Sequence, residues 1–200
     1  MNRTRTLART APLVGLVLAL SACGGSTETA TPAAPAAQGS SQGMSTQFNR
    51  ADEAFVKDMT PHHSGALAMA ELAPTRAANA DVKAIAAKIS AAQEPEIERM
   101  KAMAGAWKVD LAAGAGHSMG SMGGGTSMGG DDVEVLTPLE GASFDEEFLT
   151  RMIAHHTSAV RMSEIELANG ENPQAKDLAE QIIAAQKAEI TEMTALLAKV

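Results

Sequence analysis

Two stretches of the chain share one pattern, and they determine the fold that the sequence predicts: DEAFVKDMTPHHSGALAM at residues 52–69 and DEEFLTRMIAHHTSAVRM at residues 145–162. The similarity continues, so that residues 52–100 align without a gap on residues 145–193, and 19 of the 49 aligned positions are identical. We call residues 48–107 copy one and residues 143–199 copy two. Whatever structure one copy forms, the other is expected to form again.

Each copy is expected to form two helices. Ala, Leu, Glu, Lys, Gln and Met dominate both copies, and these residues favour helix. Asn172-Pro173 predicts a helix start, Gly170 a helix end, and Ser143 to Glu146 a capping box. The signals together predict helices near residues 50–73, 79–107, 143–169 and 173–199. Four such helices suffice for one bundle, so the sequence predicts an all-α fold, a four-helix bundle built from two duplicated helix pairs.

Two prolines distinguish the copies. Pro61 and Pro95 fall inside predicted helices of copy one, whereas Ala154 and Ala188 occupy the aligned positions of copy two. A proline inside a helix removes a hydrogen bond or kinks the helix. We therefore expect the two copies to differ in geometry.

The first 22 residues are predicted to be a signal peptide. Three arginines precede an apolar run at residues 11–20, which is too short to span a bilayer and fits the core of a signal peptide. The run ends in Leu20-Ser21-Ala22-Cys23, which resembles a bacterial lipobox. This predicts cleavage before Cys23 and a lipid on its thiol, with the protein held at the outer face of the bacterial cytoplasmic membrane or in the cell envelope. The alternative is ordinary secretion, with cleavage near Ala22 and a free Cys23.

Two segments outside the copies are expected to lack regular structure. Residues 23–47 contain few apolar side chains and are predicted to be a flexible tether between the lipid and the folded domain. Residues 108–142 link the copies, and eight of the 19 residues from Gly114 to Asp132 are glycine. We expect this linker to be irregular as well.

Composition limits the chemistry that the folded domain can perform. Cys23 is the single cysteine of the chain, which rules out a disulfide or a thiolate site in the domain. Of 16 basic residues three lie in the signal peptide, and 13 remain against 24 acidic ones, a formal charge of −11 for residues 23–200. A nucleic-acid-binding protein would carry a basic patch, so we discount that class.

A stripe of methionine and histidine recurs on the first helix of each copy. Steps of three, four and seven residues keep these side chains on one helix face. Adjacent histidines on a helix point about 100° apart, so only one of each pair can point straight into the bundle. Thioether and imidazole together suit Cu(I), whereas zinc would gain little from methionine. The alternative is that the methionines only fill the core. The candidate metal ligands are Met59, His62, His63 and Met69 in copy one, and Met152, His155, His156 and Met162 in copy two.

The glycine-rich linker offers a second group of candidate ligands: His117, Met119, Met122 and Met128. A chain rich in glycine can wrap around an ion with little strain. The alternative is an inert linker.

Two further functions compete with copper binding. A non-haem metal enzyme would need carboxylates converging on the histidines, and the nearest acids in sequence are Asp58, Glu71 and Glu164. A structural lipoprotein without metal would have histidines that only pack or bond to the backbone. Of these alternatives, we lean against an enzyme.

Two further features are expected to have structural roles. The charged run from Glu94 to Lys101 is expected to be a solvated face. Trp107 is expected to pack against the end of the bundle.

The motif resembles a known family, the domain-of-unknown-function family 305. The resemblance rests on Asp52-x-x-Phe55-x-x-x-Met59-Thr60-Pro61-His62-His63, on Met69-Ala70 and on Gln93-x-x-Glu96-Ile97-x-x-Met100, and Met152-Ile153-Ala154-His155-His156 matches again. It covers about residues 48–199 and implies a ferritin-like four-helix bundle exported from bacteria. Some members are linked to copper binding and tolerance through Met and His, which carries over by position to the eight candidate ligands of the two copies. A copper-handling protein is a further implied partner. The family as a whole implies no settled activity.

Overall fold

The structure is a computed structural model that describes residues 43–111 and 130–200, and these residues form six helices: α1 Arg50–Ala70, α2 Ala73–Arg76, α3 Ala80–Trp107, α4 Gly130–Leu136, α5 Ala142–Asn169 and α6 Pro173–Leu197. The four long helices are the predicted ones, and their ends differ from the prediction by at most three residues. The short helices α2 and α4 were not expected. Helix α4 lies in the linker that was predicted to be irregular, where its Leu136 is fully buried.

Asparagines begin three of the long helices. The Asn49 side chain accepts from the backbone at the start of α1, and Asp52 completes a capping box. The side chains of Asn79 and Asn172 also accept from backbone N–H groups at the starts of α3 and α6, without a reciprocal bond of the capping-box kind. The capping box predicted at Ser143 is wrong, since α5 begins after Gly141 and has no side-chain cap. Gly141 adopts a φ of 66°, a left-handed conformation that suits glycine, and this turn starts the helix before Ser143 is reached.

Both prolines of copy one are accommodated inside continuous helices. Helix α1 runs through Pro61 and α3 runs through Pro95. Both proline rings are exposed, so they meet solvent and not a neighbouring helix.

The four long helices pack as antiparallel neighbours. Helix α1 packs on α3 and on α5, and α6 packs on α5 and on α3. The contacts show that neighbouring helices run in opposite directions, because residues with higher numbers on one helix contact residues with lower numbers on the other. Such contacts on α3 and α6 are Lys88 with Glu192 and Arg99 with Asp177.

The connection between the copies joins opposite ends of the bundle. Helix α3 ends at Trp107, whose indole N–H donates to Ser45 O over 2.8 Å and whose ring stacks on Phe48 just before α1. Helix α5 begins after Gly141, whose backbone N–H donates to Arg76 O at the other end. A single long crossover of this kind is the connectivity of ferritin-like bundles. The prediction that Trp107 packs at the bundle end is confirmed.

The residues before α1 contact the bundle although they form no helix. Ser45 O and Gln47 O both accept hydrogen bonds from the Asn172 side chain. Met44 and Phe48 pack against the core. We call this the tether end of the bundle and the opposite end, near Gly141, the far end.

The core divides into two clusters. The tether-end cluster contains Phe55, Val56, Met59, Ile97, Met100, Met103, Trp107 and Ile182 among its buried members. The far-end cluster contains Met69, Ile85, Ile89, Leu136, Phe144, Phe148, Met152 and Met193. Among residues 43–111 and 130–200, none of the helices has the length and hydropathy of a membrane-crossing segment.

A buried carboxyl pair lies at the tether end. Asp52 is 0% exposed and accepts hydrogen bonds from the backbone N–H groups of Asn49, Glu171 and Asn172. Glu166 is 1% exposed and its carboxyl lies beside that of Asp52. Burial, and then the neighbouring Asp52 carboxyl, raises the pKa of Glu166 to about 8. Burial opposes ionisation of Asp52 as well, but the hydrogen bonds that it receives lower its pKa below the ordinary value.

Candidate metal centre

Four buried histidines form the middle of the bundle between the two core clusters: His62, His63, His155 and His156, none more than 7% exposed. The rings of His62 on α1 and His155 on α5 face each other with centroids 3.7 Å apart and planes tilted by 41°. Within the described part of the chain, neither ring nitrogen of His62 has a hydrogen-bond partner, and those of His155 form no hydrogen bond of good geometry, although the His155 ring lies near the His62 backbone. The imidazole edges are therefore free to bind a ligand.

The central pair of histidines is neutral at ordinary pH. Burial lowers the pKa of His62 to about 2, and repulsion between its protonated form and those of His155 and the other histidines adds to the shift. Burial also lowers the pKa of His155 to about 3, with the charge of His156 as the next cause. A neutral imidazole keeps a lone pair on one nitrogen, which is the form that binds a metal ion.

The second histidine of each copy bonds to a glutamate on the neighbouring helix. His63 Nε2 lies 2.8 Å from Glu96 Oε2 on α3, and His156 Nε2 lies 2.9 Å from Glu189 Oε2 on α6. A carboxylate only accepts, so Nε2 is the donor, and Nδ1 is the nitrogen that carries the lone pair when the ring is neutral. Metal-binding histidines commonly donate their other N–H to a carboxylate, which fixes the ring. The contact is the same in both copies.

One methionine pair lies on each side of the histidines. In the antiparallel pair α1 and α3, the contact of His63 with Glu96 places Met59 level with Met100. Met59 precedes His63 by four residues, and Met100 follows Glu96 by four residues. Both methionines are fully buried in the tether-end cluster. Met152 and Met193 are related in the same way to His156 and are fully buried in the far-end cluster.

The structure does not bring together all the ligands expected within one copy. Met59 and Met69 are ten residues apart on α1, about 15 Å along the helix, which is too far for one ion to bridge. Met69 lies in the far-end cluster with Met152, and half-buried Met162 packs against the tether-end cluster with Met59. Each cluster therefore combines methionines of both copies.

Several polar and sulfur side chains at the centre were not among the expected ligands: Glu96, Glu189, Gln93, Gln186, Met100 and Met193. The sequence could have pointed to these six residues, because each occupies a position that is identical in the two copies. The expectation that the run from Glu94 to Lys101 is a solvated face is wrong at Glu96, which is 14% exposed and bonded to His63. Gln93 and Gln186 are buried, and their amides have no partner among the residues that the structure describes.

Carboxylates do not converge on the histidines in the way that an oxygen-rich metal site requires. Glu71 is exposed, and Glu164 is exposed and bonded to Lys187. Asp58 is half-buried, which raises its pKa. In residues 43–111 and 130–200, no group of three or more His, Cys, Asp or Glu side chains is placed to hold a metal ion. Methionine sulfur is the further ligand type that the two clusters on either side of the histidines offer.

The other candidate residues lie outside the described residues. These are the linker ligands His117, Met119, Met122 and Met128 and the lipidation site Cys23.

Fold and site together define a class, the ferritin-like helical bundles with a buried layer of histidine between methionine clusters. The chain belongs to the DUF305 family, a domain of unknown function whose sequence profile matches residues 52–197.

Solved structures support this assignment. CopM in its Cu(II)-bound form is 35% identical with a TM-score of 0.64, and 74% of this chain and 96% of that chain are covered. CopM in its Cu(I)-bound form is 31% identical with a TM-score of 0.59 over the same shares of the two chains. A DUF305 protein from Streptomyces coelicolor, described as secreted, is 25% identical with a TM-score of 0.65, and 74% of this chain and 91% of that chain are covered. No protein of curated function matches the chain.

Proposed function

We propose that the protein binds Cu(I) outside the cytoplasm and serves in copper buffering, tolerance or delivery. The observation that carries the proposal is the buried histidine layer. A buried polar group without a partner costs about 1–3 kcal/mol, and the described residues provide none for either nitrogen of His62 and none of good geometry for those of His155. Coordination to a metal ion would satisfy these nitrogens, so the residues present fit a bound ion.

Ligand chemistry favours Cu(I) over other ions. Soft thioether ligands select Cu(I), and imidazole also suits copper. The layer contains no thiolate, because the single cysteine of the chain is Cys23. Structures of the related CopM contain Cu(I) or Cu(II), which supports copper as the ion for this chain.

The proposed ligands form two related sites, one on each side of the central ring pair. Met59 and Met100 with the histidines of copy one form the first site, and the equivalent residues of copy two form the second. The centroid distance of 3.7 Å leaves no room for an ion between the His62 and His155 rings, because each metal–nitrogen bond alone takes about 2 Å. Each ring would instead bind through the nitrogen at its edge.

The glutamates would position the second histidine of each site. Glu96 and Glu189 hold Nε2, so Nδ1 of His63 and of His156 is the atom offered to the ion. Removing a carboxylate of this type typically lowers metal affinity about 10- to 100-fold.

Location and the linker complete the proposal. A lipid on Cys23 would anchor the chain at the outer face of the bacterial cytoplasmic membrane or in the cell envelope, and the described secretion of the Streptomyces relative agrees with export. His117, Met119, Met122 and Met128 would add weaker, exposed sites. Delivery would require a copper-handling partner protein.

Cu(I) titration of the full chain against a competing chelator tests the proposal. We expect uptake by the protein, and loss of uptake when His62, His63, His155 and His156 are all replaced by alanine. Glu96→Gln combined with Glu189→Gln is expected to weaken binding, whereas Glu98→Gln, an exposed neighbour bonded to Lys101, is the matched control. No uptake by the wild type, or equal uptake by the quadruple variant, would contradict copper binding at this layer.

A further inference from the structure

The two ends of the bundle differ in methionine content. Beyond the Met59–Met100 pair, the tether-end cluster also contains Met103, which is 0% exposed, and it is contacted by half-buried Met44 and Met162. The far-end cluster also contains three buried methionines, one of which, Met69, is the counterpart of Met162, but at the position aligned with Met103 it has Leu196. Because leucine fills that position in copy two, packing alone does not require a thioether in copy one.

Met103, Met162 and Met44 lie at successive levels between the histidines and the surface of the tether end. Met103 is one helical turn beyond Met100 on α3, about 5 Å closer to the tether end. Met162 lies at nearly the same level, since the facing of His62 and His155 places it opposite residues 55 and 56 of α1. Met44 is farthest out, because the next residue, Ser45, accepts the hydrogen bond of the Trp107 indole.

We propose that Met44, Met103 and Met162 form a soft-cation site at the tether end, through which Cu(I) reaches Met59, Met100 and the histidine layer. This inference rests on the proposed function. Methionine side chains are flexible and polarizable, so sulfurs at adjacent levels can coordinate a soft ion in succession as it moves inward. The ring of Trp107 lies at the outer level, one turn from Met103 on the same helix.

Trp107 provides a local signal for the test. It is the single tryptophan of the chain, and a heavy soft cation bound near an indole quenches its fluorescence. The probe is Ag(I), a soft cation that keeps one oxidation state in air, mixed with the metal-free full chain in a stopped-flow instrument. We expect a fast quenching phase followed by slower uptake into the histidine layer, whose final amount is measured by equilibrium dialysis.

Met103→Leu is the decisive variant, since a volume-conserving swap of this kind is usually tolerated in a core. We expect it to lose the fast quenching phase and to slow loading about tenfold, within the range over which association rates of related variants differ. The Ag(I) content at equilibrium in the histidine layer should be unchanged. Met44→Leu gives a second variant, at a half-buried position on the edge of the core, and should also slow loading.

Leu196→Met is the matched control. It adds a thioether at the aligned position of copy two, about 36 Å along α6 from the tether end, and should leave Trp107 quenching unchanged. Wild-type uptake with no effect of Met103→Leu or Met44→Leu on rate or quenching would overturn the inference and leave copper binding intact. Absence of any Ag(I) or Cu(I) uptake by the wild type would instead overturn the proposed function.

Discussion

Replacing Glu166 by glutamine should remove a pH dependence of stability that the buried carboxyl pair creates. The pKa of Glu166 is raised in the folded chain from its ordinary value of 4.5 to about 8 by burial and by the Asp52 carboxyl. Between these values the folded state holds a proton that the unfolded state has lost. The stabilising contribution is therefore complete below pH 4.5 and is lost as pH rises through about 8.

The magnitude follows from proton linkage. One proton of difference changes the free energy of unfolding by about 1.4 kcal/mol per pH unit. Between pH 4.5 and about 8 the free energy of unfolding changes by at most about 5 kcal/mol. Relaxation of the structure around Glu166 will make the change smaller. The pKa of Asp52 is lowered below 3.8, so its contribution is lost only when pH falls below that value and does not enter the window.

Urea unfolding of the metal-free protein, followed by circular dichroism at several pH values from 5 to 9, measures the effect. We expect Glu166→Gln to gain stability relative to the wild type as pH rises, because glutamine donates to Asp52 without an ionisable proton. Glu164→Gln, two residues away but exposed and bonded to Lys187, is the control and should follow the wild type. Parallel pH profiles for the wild type and Glu166→Gln would refute the reasoning.

Two other expectations concern the histidines and the glycines. Because the pKa values of His62 and His155 are lowered to about 2 and about 3, their stabilising contribution is present above pH 6.5 and is lost as pH falls. The free energy of unfolding should fall by about 1.4 kcal/mol per pH unit for each histidine. A double variant, His62→Gln with His155→Gln, should lose this acid dependence in urea unfolding without metal, and an unchanged slope would contradict the expectation. Gly170→Ala places a Cβ against the Glu166 carboxyl and 2.8 Å from Asp52 Oδ1, so we expect a loss of about 1–3 kcal/mol in the free energy of unfolding. Gly105→Ala, in open space on α3, should instead stabilise by about 0.5–1 kcal/mol, and equal effects of the two glycine variants would show that the carboxyl contact is unimportant.

The helices could be predicted because their signals are local. Residue composition and the caps at Asn49 and Asn172 act within one or two turns, and the structure confirms the predicted helix positions. The capping box expected at Ser143 is absent, because α5 starts after Gly141, which is held by a backbone hydrogen bond to Arg76, a residue 65 positions away. No pattern near Ser143 reveals that contact.

The candidate site was only partly accessible from the sequence. The doubled histidines were found because they repeat, and a simple helix rise shows that Met59 and Met69 cannot share an ion. Glu96 and Glu189 repeat as well, but their neighbours in sequence are charged, and a charged run normally faces solvent. Only the antiparallel packing of α1 on α3 turns Glu96 toward His63.

The amino-acid sequence by itself determined the repeat, the four long helices and the kinds of ligand available, because periodicity and side-chain chemistry are properties of the chain itself. The tertiary structure decided which histidine faces its counterpart, which is held by a glutamate, and which methionines share a cluster. Those choices depend on how four helices are oriented around a common core, and the free energy of that packing comes from contacts between residues far apart in sequence.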